Sequence, residues 1–175
     1  MTQDDLMLND GLNVPQKEGA ARLLARVVLD LLLPHQCLSC NEMVGEQGSL
    51  CSECWGRITF PSAPYCDICA LPFEIDVGEG SICGACARQA PDFDRARSAM
   101  VYNDASRRLV LGFKHGDRTE AAPAFGRWML RSGAELVANS DIIVPVPLHW
   151  TRLFARKFNQ AALLAHEVGG SSGVP

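Results

Sequence analysis

The chain has no excess of basic charge, no apolar run long enough to cross a bilayer, and no cysteine outside four CxxC pairs. Sixteen Lys and Arg against 20 Asp and Glu leave a formal charge of -4. That excludes nucleic-acid binding by bulk charge, which shows as a basic domain, so any anion site must be local. The longest apolar stretch, LLARVVLDLLL, is broken by Arg26 and Asp30. It falls far short of the roughly 20 residues that span a bilayer, which excludes membrane insertion through it. The first residues, MTQDD, are acidic where a secretory signal starts basic, so the expected location is cytoplasmic. In a reducing cytosol, paired cysteines read as metal ligands or redox groups rather than structural disulfides.

What is present suffices for one ordinary domain and a small one: 175 residues, 47% hydrophobic and 21% charged. Residues 1–18 are acidic and aperiodic and read as a disordered tail. Residues 19–36 read as an amphipathic helix, with Leu24, Val27 or Val28, Leu31 and Leu32 opposite Arg22, Arg26 and Asp30, ending at Pro34. Residues 37–88 hold every cysteine and little periodicity, as in a domain organised by something other than a large apolar core.

From Asp94 the texture becomes α/β. RSAMVYN reads as a strand, and DASRRLVLGFKHG as a helix with Asp104 as N-cap and Gly116 as stop. TEAAPAFGRWMLRSGAELV reads as a second helix, DIIVPVPL as a buried parallel strand, RKFNQAALLAHEV as a closing helix, and GGSSGVP as a flexible tail.

The four pairs are Cys37 and Cys40, Cys51 and Cys54, Cys66 and Cys69, and Cys83 and Cys86. Two intervening residues let a tight turn point both sulfurs at one metal, and two such turns supply the four thiolates that structural zinc prefers. Ten residues separate Cys40 from Cys51 and thirteen separate Cys69 from Cys83, each a short excursion with turn glycines. A thioredoxin-like pair needs a βαβ context that none of the four has, and iron-sulfur runs are spaced differently. Two structural Zn2+ ions are expected. Sequential pairing closes shorter loops than a cross-brace and is favoured on chain entropy.

Residues 144–160, VPVPLHWTRLFARKFNQ, put Arg152, Arg156 and Lys157 unopposed after an apolar segment. In an open α/β sheet, anions bind where a strand hands over to the next helix. Arg152 and Arg156 would share a helical face, Asn159 and Gln160 would add amides, and Lys114 could converge on the same cleft. An exposed, solvated basic loop is the equally weighted alternative.

LCSECWGRI, PYCDICALPF, CGAC, FKHGDRTEAAPAFGRWM and above all VPVPLHWTRLFARKFNQAALLA together resemble the ComF family over residues 37–168. These are phosphoribosyltransferase-related competence proteins with an N-terminal double zinc ribbon. The resemblance implies that residues 94–175 are the N-terminal part of a type I phosphoribosyltransferase-like α/β domain. It also implies a phosphoribosyl pyrophosphate-like ligand in complete relatives, and natural transformation as the process, with single-stranded DNA and competence-machinery proteins as partners. Phosphate or nucleotide contacts fall on Lys114, Arg152, Arg156, Asn159 and Gln160, beside Phe158. The family's paired aspartates and Thr-Thr-Gly turn have no counterpart. The expectation is therefore a chain truncated before the phosphate-binding loop, with no catalytic residues of its own.

The alternative is a non-enzymatic zinc-ribbon module that binds single-stranded nucleic acid or a protein. Trp55, Phe60, Tyr65 and Phe73 could offer stacking surfaces, although such aromatics more often form a mini-core. Between Cys37 and Cys86, Arg57 is the sole base against seven acids, so the ribbon itself favours protein docking over DNA.

Overall fold

Each of the two long cysteine segments folds by the same set of backbone hydrogen bonds. The structure, a computed structural model, describes residues 34–115, 118–156 and 158–175, with the backbone alone for residues 154–156. In the first segment the Cys37 N–H donates to Glu42 O (2.7 Å), Asn41 N–H to Cys37 O (3.2 Å) and Leu38 N–H to Ser49 O (3.0 Å). In the second, Cys66 N–H donates to Leu71 O (2.8 Å), Ala70 N–H to Cys66 O (2.9 Å) and Asp67 N–H to Ser81 O (2.9 Å). An isolated antiparallel bridge flanks each turn, Gln36 with Met43 and Tyr65 with Pro72. Asn41 and Ala70 hold equivalent left-handed positions, φ 65° and 59°. Asparagine tolerates that conformation, whereas alanine is kept there by the surrounding turn. Each segment ends by entering a short helix, α1 (Ser52–Arg57) after Cys51 and α2 (Gly84–Arg88) after Cys83.

Four further helices follow: α3 (Asp104–His115), α4 (Ala122–Ala138), α5 (Trp150–Arg156) and α6 (Gln160–Ser172), with a 3-10 turn at Thr119–Ala121. The start of α3 is fixed by Asn103, whose Oδ1 accepts from the N–H groups of Ala105 (3.1 Å) and Ser106 (3.0 Å). The cap is therefore Asn103 and not Asp104, because the residue just outside the helix has its side chain free to turn back on the orphan N–H groups. The stop expected at Gly116 lies outside the described residues. Pro123 sits in the first turn of α4, where its missing N–H costs nothing. Gly126 lets α6 approach closely, since a Cβ there would stand 2.6 Å from Glu167 Cβ.

Residues His35–Pro175 form one compact unit. Leu38 and Ile58 from the first cysteine segment are buried with Leu109 and Phe113 of α3 and Ala122, Ala124 and Phe125 of α4. An aromatic chain ties the two parts: Trp55 to Phe60 (5.0 Å between centroids), Phe60 to Trp128 (5.6 Å), Trp128 to Phe125 (5.3 Å) and Phe125 to Phe113 (5.1 Å). The second cysteine segment has its own small cluster of Cys66, Cys83 and Cys86 with Ile68 and Phe73 packed on it.

Several expectations change. Neither expected strand forms a ladder, and among the described residues the α/β segment is helical. The backbone of 97–103 is used as a strap: Val101 N–H bonds Thr59 O (2.8 Å), and Val101 O accepts from the buried Ser106 hydroxyl (2.7 Å). Residues 142–146 are extended but not buried. Ile142, Val144 and Val146 are exposed while Ile143 and Pro145 face the Ala162, Ala165 and Gly169 side of α6. A parallel strand needs a hydrogen-bonded neighbour along its edge, and no described segment supplies one. GGSSGVP is not a loose tail, because α6 runs on to Ser172 and ends at Gly173 (φ 77°), whose N–H bonds Gly169 O (2.8 Å). Pro175 O then accepts from Ile143 N–H (2.7 Å). The helix expected over residues 19–36 lies outside the described residues except for 34–36, which are not helical.

Candidate metal centres

The repeated turns gather the eight thiols into two groups, Cys37, Cys40, Cys51 and Cys54, and Cys66, Cys69, Cys83 and Cys86, each with its sulfurs within 4.8 Å of one another. The grouping is sequential, as loop-closure entropy favours. Cys40 Sγ lies 3.6 Å from Cys51 Sγ, and Cys69 Sγ lies 3.7 Å from Cys83 Sγ. Four thiolates around zinc at about 2.3 Å stand about 3.8 Å apart along each tetrahedral edge. A disulfide would need about 2.05 Å, and the eight cysteines are free thiols. Donor type, number and spacing thus fit a tetrahedral Zn2+ in each group, and four protein thiolates leave no open position for a catalytic water. The metal these groups suit is structural.

The local electrostatics repeat as well. Burial pushes the Cys37 thiol up, but the N–H groups of Cys40, Cys51 and Ser39 outweigh it and bring the thiol down to about 6. Cys66 comes down to about 6 the same way, with burial opposed by the N–H groups of Cys69, Cys83 and Ile68. Burial and the neighbouring sulfurs of Cys69, Cys83 and Cys66 push Cys86 up to about 12. Cys51, lowered by the Cys54 N–H, is lifted more by burial and by its neighbours Cys54, Cys40 and Glu42, also to about 12. Four adjacent sulfurs cannot all ionise by themselves. A divalent cation supplies the charge that lets them do so.

Two arginines hold the groups to the helices. Arg118 Nη1 donates to Leu38 O (3.0 Å) and Asn41 Oδ1 (3.0 Å), while its Nε pairs with Glu120 (3.1 Å). Arg97 Nη1 donates to Asp67 O (2.9 Å), its Nη2 pairs with Glu135 of α4, and its guanidinium lies 4.9 Å from the centre of the Tyr65 ring. Leu38 and Asp67 are the same position of the repeat, the residue after the first cysteine. Sequence reading missed both arginines. Contacts 80 and 30 residues apart leave no local pattern to find.

The basic turn is differently built. Arg152 and Arg156 fall four apart on the backbone of α5. Arg152 and Lys114 are exposed. Gln160 Nε2 donates to Lys114 O (3.0 Å), which joins the end of α3 to the start of α6. Asn159 caps α6 through Oδ1 to Ala161 N–H (3.0 Å), and its Nδ2 donates to Val146 O (3.2 Å). Both amides are thus occupied in shaping the turn. Of the aromatics, Phe60 and Phe73 pack on the two cores, Tyr65 lies under Arg97, and Trp55 is about half exposed.

Two four-thiol turns on one structural repeat define a double zinc ribbon, and the double zinc ribbon domain family matches residues 28–90. Competence protein F of Haemophilus influenzae is 28% identical over 147 residues, covering 80% of this chain and 62% of that protein. DNA utilization protein YhgH is 30% identical over 145 residues in Salmonella typhimurium (76% of this chain, 55% of the relative) and 31% identical over 144 residues in Escherichia coli (77% and 60%). No solved structure gives a significant match. The chain is a homologue of these competence and DNA-utilization proteins, as its motifs indicated, and spans about three-fifths of their length. Among the described residues no helix is long and apolar enough to cross a membrane.

Proposed function

We propose that this chain serves DNA uptake as a zinc-ribbon-headed protein in which the ribbon is a scaffold and the basic turn is the ligand-contacting element. The observation that carries the reading is the tie from Gln160 to Lys114 O. It joins the end of α3 to the start of α6, and α5, whose backbone carries Arg152 and Arg156, comes just before α6 in the chain. The homologues' names supply the process. Lys114, Arg152 and Arg156 supply the charge, and Asn159 and Gln160 position the backbone that carries it. Guanidinium groups suit phosphate oxygens, whether of a phosphoribosyl pyrophosphate-like ligand or of single-stranded DNA. The helical segment belongs, on this reading, to a phosphoribosyltransferase-like domain.

Titration of the zinc-loaded chain with labelled single-stranded DNA at several salt concentrations tests the reading. Charge reversal by Arg152→Glu and Arg156→Glu should abolish binding at moderate salt, and each cation lost should flatten the log-log salt slope by about 0.7. Binding with an unchanged slope would place the contact elsewhere.

A further inference from the structure

The two ribbon excursions are equivalent in the repeat and unlike in their surroundings. The end of the first is laid against its neighbours: Gly48 (φ +76°) approaches Glu120 O so closely that a Cβ would stand 2.8 Å from it, and Leu50 packs on the main core, while Met43 before them is exposed. The second, residues 71–82, stands clear. Gly78 and Gly80 have nothing within 4 Å of a Cβ, and Leu71, Ile75, Val77 and Ile82 are all exposed, Ile75 by 71%. Glu74, Asp76 and Glu79 are interleaved with these aliphatics.

Beneath the excursion is a notch of about 620 Å³ whose walls include Tyr65, Asp67, Asp76, Glu79, Arg97 and Glu135. Four carboxylates face one guanidinium there. Arg97 is already divided between Asp67 and Glu135, and Arg95 holds the other Asp67 oxygen at 3.0 Å. Asp76 accepts the Gly78 N–H (2.9 Å), and among the described residues neither Asp76 nor Glu79 forms an ion pair. In the same wall the Arg97 side chain is only 4% exposed, and its buried Nε–H has no acceptor among the described residues.

We propose that this excursion and the notch below it form a docking surface for a basic, aliphatic-bearing segment of a partner protein. Exposed aliphatics between uncompensated carboxylates match side chains that alternate Lys or Arg with Leu or Ile: the apolar groups leave water together and the charges pair at the rim. The same carboxylates repel phosphate, so the surface disfavours DNA and anionic lipid. It uses no residue of the basic turn, and its test is therefore separable from that of the DNA contact.

Fluorescence anisotropy with the full zinc-loaded chain tests the surface, using a labelled peptide that alternates Lys with Leu, its Glu-for-Lys counterpart and a labelled oligothymidine. The Lys-Leu peptide should bind and the Glu peptide should not. Binding should weaken about tenfold in Asp76→Lys/Glu79→Lys and about tenfold in Ile75→Ser/Val77→Ser, about 1.4 kcal/mol for each variant. Elemental analysis showing unchanged zinc in both variants separates loss of the surface from collapse of the ribbon. Equal affinity in either variant, competition by the oligothymidine, or self-association of the chain that the variants abolish would each overturn the proposal.

Discussion

An arginine side chain bonds the carbonyl after the first cysteine of each ribbon, Arg118 at Leu38 O and Arg97 at Asp67 O. Arg97 is the more demanding of the two, because its side chain is almost fully buried while Asp67 and Glu135 remain a third to a half exposed. Arg97→Ala should cost about 2 kcal/mol in a denaturant titration, less than a fully buried pair, since both carboxylates can recover water. Arg97→Lys should recover little, because an ammonium cannot bond Asp67 O and both carboxylates from one planar group. Equal stability of all three proteins would show that the fork holds nothing. At this scale the eight cysteines were legible because CxxC is a local pattern with one geometric use. Arg97 and Arg118 were not, and neither was Asn103 as the cap, since adjacent Asn and Asp suit that position equally by residue type. The amides of Asn159 and Gln160 were named for a ligand, yet in the structure they tie the turn together.

Among the elements, α4 and α6 make the tightest helix contact, and glycine permits it. Gly126→Ala sets a Cβ 2.6 Å from the Glu167 Cβ, so the helices must separate. The intrinsic gain of alanine in a helix is about 1 kcal/mol, and overpacking of this kind costs about 1–3 kcal/mol. The expected net result is a melting temperature lower by several degrees with zinc content unchanged; a rise would show that α6 yields freely. Of the helices, α3 and α4 were legible from their periodicity, whereas α5 was read as a turn and α6 starts at Gln160 rather than Arg156 and runs on to Ser172. Residues 142–146 show why the strands were not. Their alternation is that of a strand, exposed at Ile142, Val144 and Val146 and turned inward at Ile143 and Pro145. Whether such a segment becomes one depends on a neighbour that its own residues cannot specify. The same physics makes this row a pairing liability.

For the molecule as a whole, the ribbons carry little apolar core, and the second has little beyond its own cysteines, Ile68 and Phe73. The first leans on the helices through Leu38, Ile58 and the aromatic chain from Trp55 to Phe113. Metal binding of about 10 kcal/mol per site is then the main term holding the second ribbon, and a supplement to packing in the first. Sequence reading placed ribbon and helical segment side by side; that the first ribbon shares a core with the helices depends on long-range contacts that no periodicity encodes.

The most direct measurement of the account is the metal content of the reduced, purified chain, by elemental analysis and native mass spectrometry, followed by chelation under circular dichroism. Two zinc ions per chain are expected, with eight titratable thiols after denaturation and chelation. On metal removal the second ribbon should lose its order before the helices do. One ion or none, an iron chromophore, or thiols recovered as disulfides would contradict it.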